Sequence, residues 1–306
     1  MTRRKKKALV TNLWCWAFVS VTLIFYILFQ GYPIICSVYY SLHDWSGMTS
    51  NMRYVGLGNF SKLIKDSMFW SAFANSFKYM FAMVPLEVLV SLFYACLLNN
   101  PKLRGKTFYR ACLFLPVVIT AAVAGIVMSF IFSTNGILNF ILMKIGLMDR
   151  ALNWIGDAKL AVVAVILVSL WKDVGTYMLY WLAALQGVSK DIIEASWIDG
   201  AGPLKTFWYV TLPVIAPTAG VIVILCTINS LKAFDIIQTL TGGGPFYKTD
   251  VIATYIYKMA FTADIGMPRF GYASAASITF GTVVIIIGVI LNLIKGKLQK
   301  KGEMRK

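Results

Sequence analysis

The sequence predicts an all-α integral membrane protein with six membrane-spanning helices. Of its 306 residues, 58% are apolar and only 14% are charged. The mean hydropathy of +0.71 is also far from the balance of a water-soluble domain. Whole windows of the chain contain no charged side chain, so a lipid bilayer must be their solvent.

Six apolar windows are long enough to cross the hydrocarbon core, which takes about 20 helical residues. The first window follows the basic run from Arg3 to Lys7, as in a secretion signal, but it is too long for one and lacks a small-residue cleavage site. We therefore expect it to be retained, and we expect residues 1–306 to form a single transmembrane domain. The expected spans are 13–38, 69–98, 108–132, 160–184, 213–237 and 273–295.

Basic residues predict how the chain is oriented, since short cytoplasmic loops retain Lys and Arg. They precede the first span, fill the second-to-third loop and follow the sixth span, so we expect both termini in the cytoplasm. The net charge of +16 then reflects contact with membrane lipid and not with nucleic acid. The basic residues on this side are Arg3, Arg4, Lys5, Lys6, Lys7, Lys102, Arg104, Lys106, Arg110, Lys295, Lys297, Lys300, Lys301, Arg305 and Lys306.

The sequence offers no site for enzymatic chemistry. Its single histidine, His43, and its five scattered cysteines have no spacing that would bind a metal or form a redox pair. A membrane enzyme would need clustered ionisable residues with a nucleophile or a metal. The ionisable residues considered within the spans have no histidine partner, so we expect no catalytic residue, cofactor or metal on this chain. They are Glu87, Lys172, Asp173, Lys232 and Asp235.

The connection between the fourth and fifth spans, residues 186–217, is long for a membrane connector. Small side chains at Ala195 and Ser196 allow close backbone approach. Gly200 suits a sharp turn, and Pro203 suits the first turn of a second short helix. These residues predict a helix, a turn and a helix, which form either a docking element for a partner or an interfacial connector without one.

The same loop resembles the EAA loop of bacterial ABC importer permeases, whose pattern is EAA, three residues, Gly, nine residues, Ile, any residue, Leu-Pro. This chain departs from the pattern at Ser196, where a third small residue is usual, and at Val210, where Ile is usual. Two further stretches, LTGGGP at 240–245 and GYPIICSVYYSLHDW at 31–45, are similar to the carbohydrate (maltose-type, binding-protein-dependent) branch. The pattern falls on Glu194, Ala195, Ser196, Gly200, Val210, Leu212 and Pro213.

The resemblance implies a six-helix permease of type I ABC importer architecture, multi-pass in the bacterial cytoplasmic membrane. Its implied partners are a second homologous permease, two cytoplasmic ABC ATPase subunits and an extracellular or periplasmic binding protein that delivers a sugar. ATP and Mg would be bound by the ATPase subunits, and the EAA loop would insert into a cleft on one of them. The implied ATPase-coupling residues are Glu194, Ala195, Ser196, Asp199, Gly200, Leu212 and Pro213.

Two other transport functions stay open. An importer permease for glycerol phosphate or another polyol would share the same motifs. An ion-coupled secondary transporter would share the hydropathy, but it has no need of a long docking loop with this spacing. Dependence of uptake on ATP and on a separate ATPase chain separates it from an importer.

Polar and aromatic residues on the fourth and fifth spans predict a path for the sugar, since charged side chains in a membrane avoid lipid. On the fifth span they share one helix face, and Trp171 is added to the path although it lies off the polar face of the fourth span. That face of the fourth span carries Ser169, Lys172, Asp173, Thr176, Tyr177 and Tyr180. Sugar hydroxyls need hydrogen-bonding groups, and the C–H surface of a sugar suits an aromatic ring. The alternative is that the charged pairs only neutralise each other between helices. The predicted path residues are Trp171, Lys172, Asp173, Tyr177, Asn229, Lys232 and Asp235.

Overall fold

The computed structural model describes the backbone of residues 3–262 and 266–303, and the side chains of residues 12–262 and 266–296. The described chain is mostly helical, and its two strands, β1 (His43–Asp44) and β2 (Arg53–Tyr54), pair in antiparallel fashion. The predictions for the basic side chains from Arg3 to Lys7 and from Lys297 to Lys306 lie outside the described side chains.

The helices follow one another with short connections, and two pairs of them are joined by five-residue π-helical turns, Ile27–Gly31 and Phe207–Thr211. In chain order the helices are α1 (Arg3–Tyr26), α2 (Tyr32–Ser41), α3 (Gly58–Ile64), α4 (Ser67–Asn99), α5 (Lys106–Val118), α6 (Ala121–Ile131), α7 (Ile137–Lys144), α8 (Ala158–Gln186), α9 (Lys190–Ile198), α10 (Pro203–Thr206), α11 (Leu212–Leu231), α12 (Asp235–Leu240), α13 (Ile252–Phe261) and α14 (Phe270–Glu303).

Within the described residues, five helical segments are each long and apolar enough to cross a membrane, and a bent pair of helices brings the number to six if it counts as one span. The pair falls where the sequence predicts the third span. The five are Asn12–Ser41, Ser67–Asn99, Ala158–Gln186, Pro203–Leu231 and Phe270–Gly296, and the bent pair is Lys106–Val118 with Ala121–Ile131.

The third span differs from the continuous helix that the sequence predicts over 108–132, because α5 and α6 meet at 99°. Ile119 and Thr120 both have extended backbone at the break. The hydroxyl of Thr120 accepts a hydrogen bond from the backbone N–H of Val123 at 3.4 Å and caps the new helix. Hydropathy carries no information on this break because both halves are apolar.

The fifth span also differs from its predicted bounds of 213–237. Its helical segment begins ten residues earlier, at Pro203, and ends at Leu231. After the turn at residues 232–234, α12 packs on α6. A Cβ on Gly125 would lie 1.8 Å from the hydroxyl oxygen of Thr239, so the glycine is what permits this close approach.

The chain divides into two compact units. In the first, the amide of Asn59 donates to the carbonyl oxygens of Ser41 at 2.9 Å and His43 at 2.8 Å, which ties α3 to the end of α2. The ring of Trp45 packs edge-on against Phe270. The first unit is Met1–Asp66 with Ile256–Thr279, and the second is Ser67–Tyr255 with Phe280–Lys306.

In the second unit, one of two buried apolar clusters lies among α4, α8 and α11. Buried apolar side chains from all three helices meet there, and Trp181 of α8 is the largest of them. On another side α8 packs against α5 at Gly175, where a Cβ would lie 2.4 Å from the carbonyl oxygen of Leu113. These contacts hold α8 at the centre of the unit. The core residues are Ala95, Leu98, Tyr177, Met178, Trp181, Leu182, Leu185, Val188, Ile215, Ile222 and Cys226.

We expect Gly175→Ala to lower the thermal stability of the purified protein. The added methyl group would meet the backbone of α5, which cannot move aside as a flexible side chain does, and such overpacking costs about 1–3 kcal/mol. Gly288→Ala is the matched control, because a Cβ at Gly288 in α14 meets no atom within 4 Å. Equal melting temperatures for the two variants in detergent would contradict this packing.

Candidate functional site

A polar cavity of about 150 Å³ lies among α4, α8 and the turn that joins α11 to α12. An ionisable side chain within the bilayer raises the free energy of insertion, so it usually faces a cavity or a charged partner. Five of the seven predicted path residues line this cavity, and Trp171 and Tyr177 do not. The polar side chains around it are Tyr79, Glu87, Ser169, Lys172, Asp173, Asn229, Ser230, Lys232 and Asp235.

Helix α8 contributes an ion pair to the cavity wall. The ammonium nitrogen of Lys172 lies 3.7 Å from Oδ1 of Asp173, and the lysine side chain is only 12% exposed. A lysine this buried needs a partner for its charge. The pair thus lines the cavity and neutralises its own charge within one helix, not between helices, and its role in the sugar path remains a prediction.

Tyr177 lies behind the cavity wall, where it is 3% exposed. The amide nitrogen of Asn229 donates a hydrogen bond to its hydroxyl oxygen at 2.9 Å, which ties α8 to α11. Asn229 itself lines the cavity. Tyr177 thus supports a lining residue without lining the cavity itself, and its part in the sugar path remains a prediction.

Trp171 does not line the cavity, and 38% of it is exposed on the outside of α8. One residue along an α-helix turns the side chain by about 100°. Lys172 and Asp173 both face the cavity, and Trp171 is turned by about 200° from Asp173, so it lies off that face. A path role for Trp171 remains a prediction.

The structural element that places three predicted residues at the cavity differs from the one predicted. The residues are Asn229, Lys232 and Asp235. They do not share a face of one helix, because α11 ends at Leu231 and α12 begins at Asp235. The turn between the two helices brings them together instead. The predicted grouping therefore occurs, but its predicted cause, a continuous helix, is wrong.

The sequence analysis did not assign Tyr79, Glu87 and Ser230 to the path, whereas Ser169, on the polar face of the fourth span, lines the cavity. The sequence could have indicated Glu87, since an ionisable residue within a membrane span is a candidate functional residue by default. It could not have indicated Tyr79, because an aromatic residue in an apolar helix has no distinguishing pattern. The packing of α4 against α8 places Tyr79 and Glu87 at the cavity, and the end of α11 places Ser230 there.

The loop between α8 and α11 forms the helix, turn and helix that the sequence predicts. The hydroxyl of Ser189 accepts a hydrogen bond from the backbone N–H of Asp191 and begins α9. Gly200 has a φ of +80°, and Pro203 begins α10. Glu194, Ala195, Asp199 and Gly200 are exposed, so the side of the loop that carries them is accessible.

A hydrogen bond between two buried hydroxyl groups joins the two short helices of this loop, α9 and α10. Ser196 and Thr206 lie 3.0 Å apart between their oxygens. This contact explains why a serine, one of the departures from the EAA pattern, fits this position in the chain. Leu212 and Pro213 begin α11, directly after the π-helical turn, so the loop is continuous with the fifth span.

Comparison with known families places these features in context. The sequence profile of binding-protein-dependent transport system inner membrane components matches residues 55–301. The chain is 33% identical over 304 residues to the multiple sugar-binding transport system permease protein MsmF of Streptococcus mutans, over 99% of this chain and 100% of that protein. It is 29% identical to the sn-glycerol-3-phosphate transport system permease protein UgpA of Escherichia coli, over 92% of this chain and 94% of that protein.

A solved structure shares the fold. It is a bacterial alginate ABC transporter in complex with an alginate pentasaccharide-bound periplasmic protein. One of its chains is similar to this one with a TM-score of 0.81 at 24% identity, over 96% of this chain and 98% of that one. This likeness confirms the predicted all-α permease fold.

Proposed function

Since the chain belongs to the family of binding-protein-dependent transport system inner membrane components, we propose that it imports a sugar or oligosaccharide as one permease subunit of an ATP-driven transporter. It is a multi-pass membrane protein and a transport subunit, not an enzyme. Two cytoplasmic ATPase chains bind ATP and Mg, and a second permease completes the membrane part. An external binding protein delivers the sugar.

The observation that carries this proposal is the exposed helix-turn-helix loop at residues 190–206 with the EAA spacing. A loop that only connected two spans would need neither an exposed acidic helix nor a left-handed glycine. Glu194 makes a charged contact with the ATPase, and Gly200 sets the angle at which α9 leaves the membrane. Because α10 continues into the fifth span, movement of the loop is carried to the cavity.

The polar cavity is the proposed sugar site. Its hydroxyl, amide, carboxyl and ammonium groups can exchange hydrogen bonds with sugar hydroxyls. The similarity to a multiple sugar-binding system permease supports a sugar as the substrate. The similarity to a glycerol-phosphate permease keeps a phosphorylated polyol as a second candidate.

The proposed orientation places both termini and the 190–206 loop in the cytoplasm and the loop after α12 outside. In a cysteine-free background, we expect Lys248→Cys to react with a membrane-impermeant thiol reagent on intact cells. Lys102→Cys, between α4 and α5, is the matched control and should react only after the cells are opened. The reverse pattern of labelling would overturn the orientation.

The composition of the assembled transporter tests the proposed function. The chain, purified through a tag from its own bacterium, should bring with it one homologous permease and two copies of an ATPase. Native mass spectrometry can measure this composition directly. A chain that purifies alone, or as a homo-oligomer that transports sugar without an ATPase, would contradict the proposal.

A further inference from the structure

Glu87 lies on α4 and lines the polar cavity. The side chain is 3% exposed, and Oε2 has no hydrogen-bond partner among the described residues. One oxygen of this buried carboxyl group therefore remains unsatisfied by the protein.

A buried oxygen without a hydrogen-bond partner lowers the stability of the folded protein by about 1–3 kcal/mol, and by more if the group is charged. The nearby ammonium group of Lys172 does not offset this cost, since it pairs with Asp173. Lys232, the other cation at the cavity, is exposed. A hydroxyl group that enters the cavity would supply the missing partner.

The charge of the lining restricts what can enter. Two lysines, Lys172 and Lys232, face the cavity together with Asp173, Asp235 and Glu87. If Glu87 is neutral, the other four charges cancel, and if it is ionised, the lining has an excess of negative charge. Neither state has the surplus of positive charge that a phosphate or carboxylate ligand needs.

The size of the cavity restricts the ligand as well. A cavity of about 150 Å³ holds roughly one small ring-shaped molecule such as benzene. One sugar ring therefore matches the space better than a long oligosaccharide does.

We propose that Glu87 is a specificity-determining residue that hydrogen-bonds to a hydroxyl group of an uncharged sugar, in a cavity that rejects phosphorylated and acidic sugars. This inference rests on the proposed sugar transport, and it selects between the two candidate substrates named above. Asn229 and Asp173 line the same cavity and offer hydrogen-bonding groups to the rest of the ring.

The test uses the complete transporter in proteoliposomes and compares Glu87→Leu with Glu87→Gln. Leu removes all hydrogen bonding, and we expect the KM for the transported sugar to rise at least about tenfold, the equivalent of one good hydrogen bond. Gln keeps a donor and an acceptor and should stay within a few-fold of wild type. The Leu variant should melt no lower than wild type, because it removes an unsatisfied buried oxygen.

The probes are glucose, lactose, maltose and raffinose, with glucose 6-phosphate and galacturonate as charged comparators. Wild-type uptake of a charged comparator at the rate of the neutral sugars would overturn the charge selection, and a Leu variant with wild-type KM would overturn the role of Glu87. If Glu87→Leu fails to assemble, Glu87→Met replaces it, and failure of both would show a structural role instead. If wild type hydrolyses ATP but takes up no sugar, the proposed function fails rather than this inference.

Discussion

Replacing Gly200 by Val should abolish uptake and substrate-stimulated ATP hydrolysis while the protein still inserts and assembles. Gly200 has a φ of +80°, and a Cβ there would meet no atom of this chain within 4 Å. The effect therefore comes from the backbone and not from a clash. The left-handed conformation costs an L-residue roughly 1–2 kcal/mol, and a β-branched residue is especially unsuited to it. The turn would open and α9 would leave the membrane at a different angle.

Gly202→Val is the matched control for this prediction. Gly202 lies two residues further along the same loop, also with no atom within 4 Å of an added Cβ, but its φ of −72° and ψ of 170° suit a branched residue. We expect this variant to keep most of its uptake. Normal coupling of ATP hydrolysis to uptake in the Gly200→Val complex would show that this loop does not transmit the motion.

The second large effect is expected at Asn229. Asn229→Ala removes a hydrogen-bonding group from the cavity and leaves the buried hydroxyl of Tyr177 without its donor at 2.9 Å. Loss of the hydrogen bond to the Tyr177 hydroxyl alone lowers the free energy of unfolding by about 1–3 kcal/mol. We expect uptake to fall by about tenfold or more, since a substrate contact is lost as well.

Tyr177→Phe separates the two roles of Asn229. It breaks the same hydrogen bond but leaves the cavity lining intact, because Tyr177 lies behind the wall. The Phe variant should change stability more than KM, and Asn229→Ala should change both. If both variants raise KM equally, the pair acts through packing, and Asn229 does not contact the substrate.

The sequence predicted the apolar spans well but not their breaks. Hydropathy registers length and apolar content, and the third and fifth spans satisfy both tests. The bend at Thr120 depends on a capping hydroxyl, and the turn after Leu231 is accompanied by the packing of α12 on α6 beside Gly125. The first is a local hydrogen bond and the second is a contact between helices, and the hydropathy of a window measures neither.

The shape of the 190–206 loop was predictable because its signals are local. Gly200 and Pro203 each favour one backbone conformation, and these conformations occur. The role of Ser196 was not readable, since its partner Thr206 lies ten residues away across the turn. Its predicted part in coupling remains a prediction.

The cavity was only partly predictable. Charges inside spans identified Lys172, Asp173, Lys232 and Asp235, which all line it. Helix-face reasoning assumed an unbroken fifth span, whereas the turn after Leu231 is what brings Asn229, Lys232 and Asp235 together. Glu87 was weighed only as a possible catalytic group, because the path was sought on the fourth and fifth spans and Glu87 lies on the second.

Uptake by the reconstituted transporter tests the central claim most directly. Liposomes that contain this chain, its partner permease and the ATPase are loaded with ATP, and the binding protein and labelled sugar are added outside. We predict that sugar accumulates inside only when ATP, the ATPase and the binding protein are all present, and that ADP or a hydrolysis-deficient ATPase prevents it. Accumulation driven by an ion gradient in liposomes without the ATPase would contradict the account.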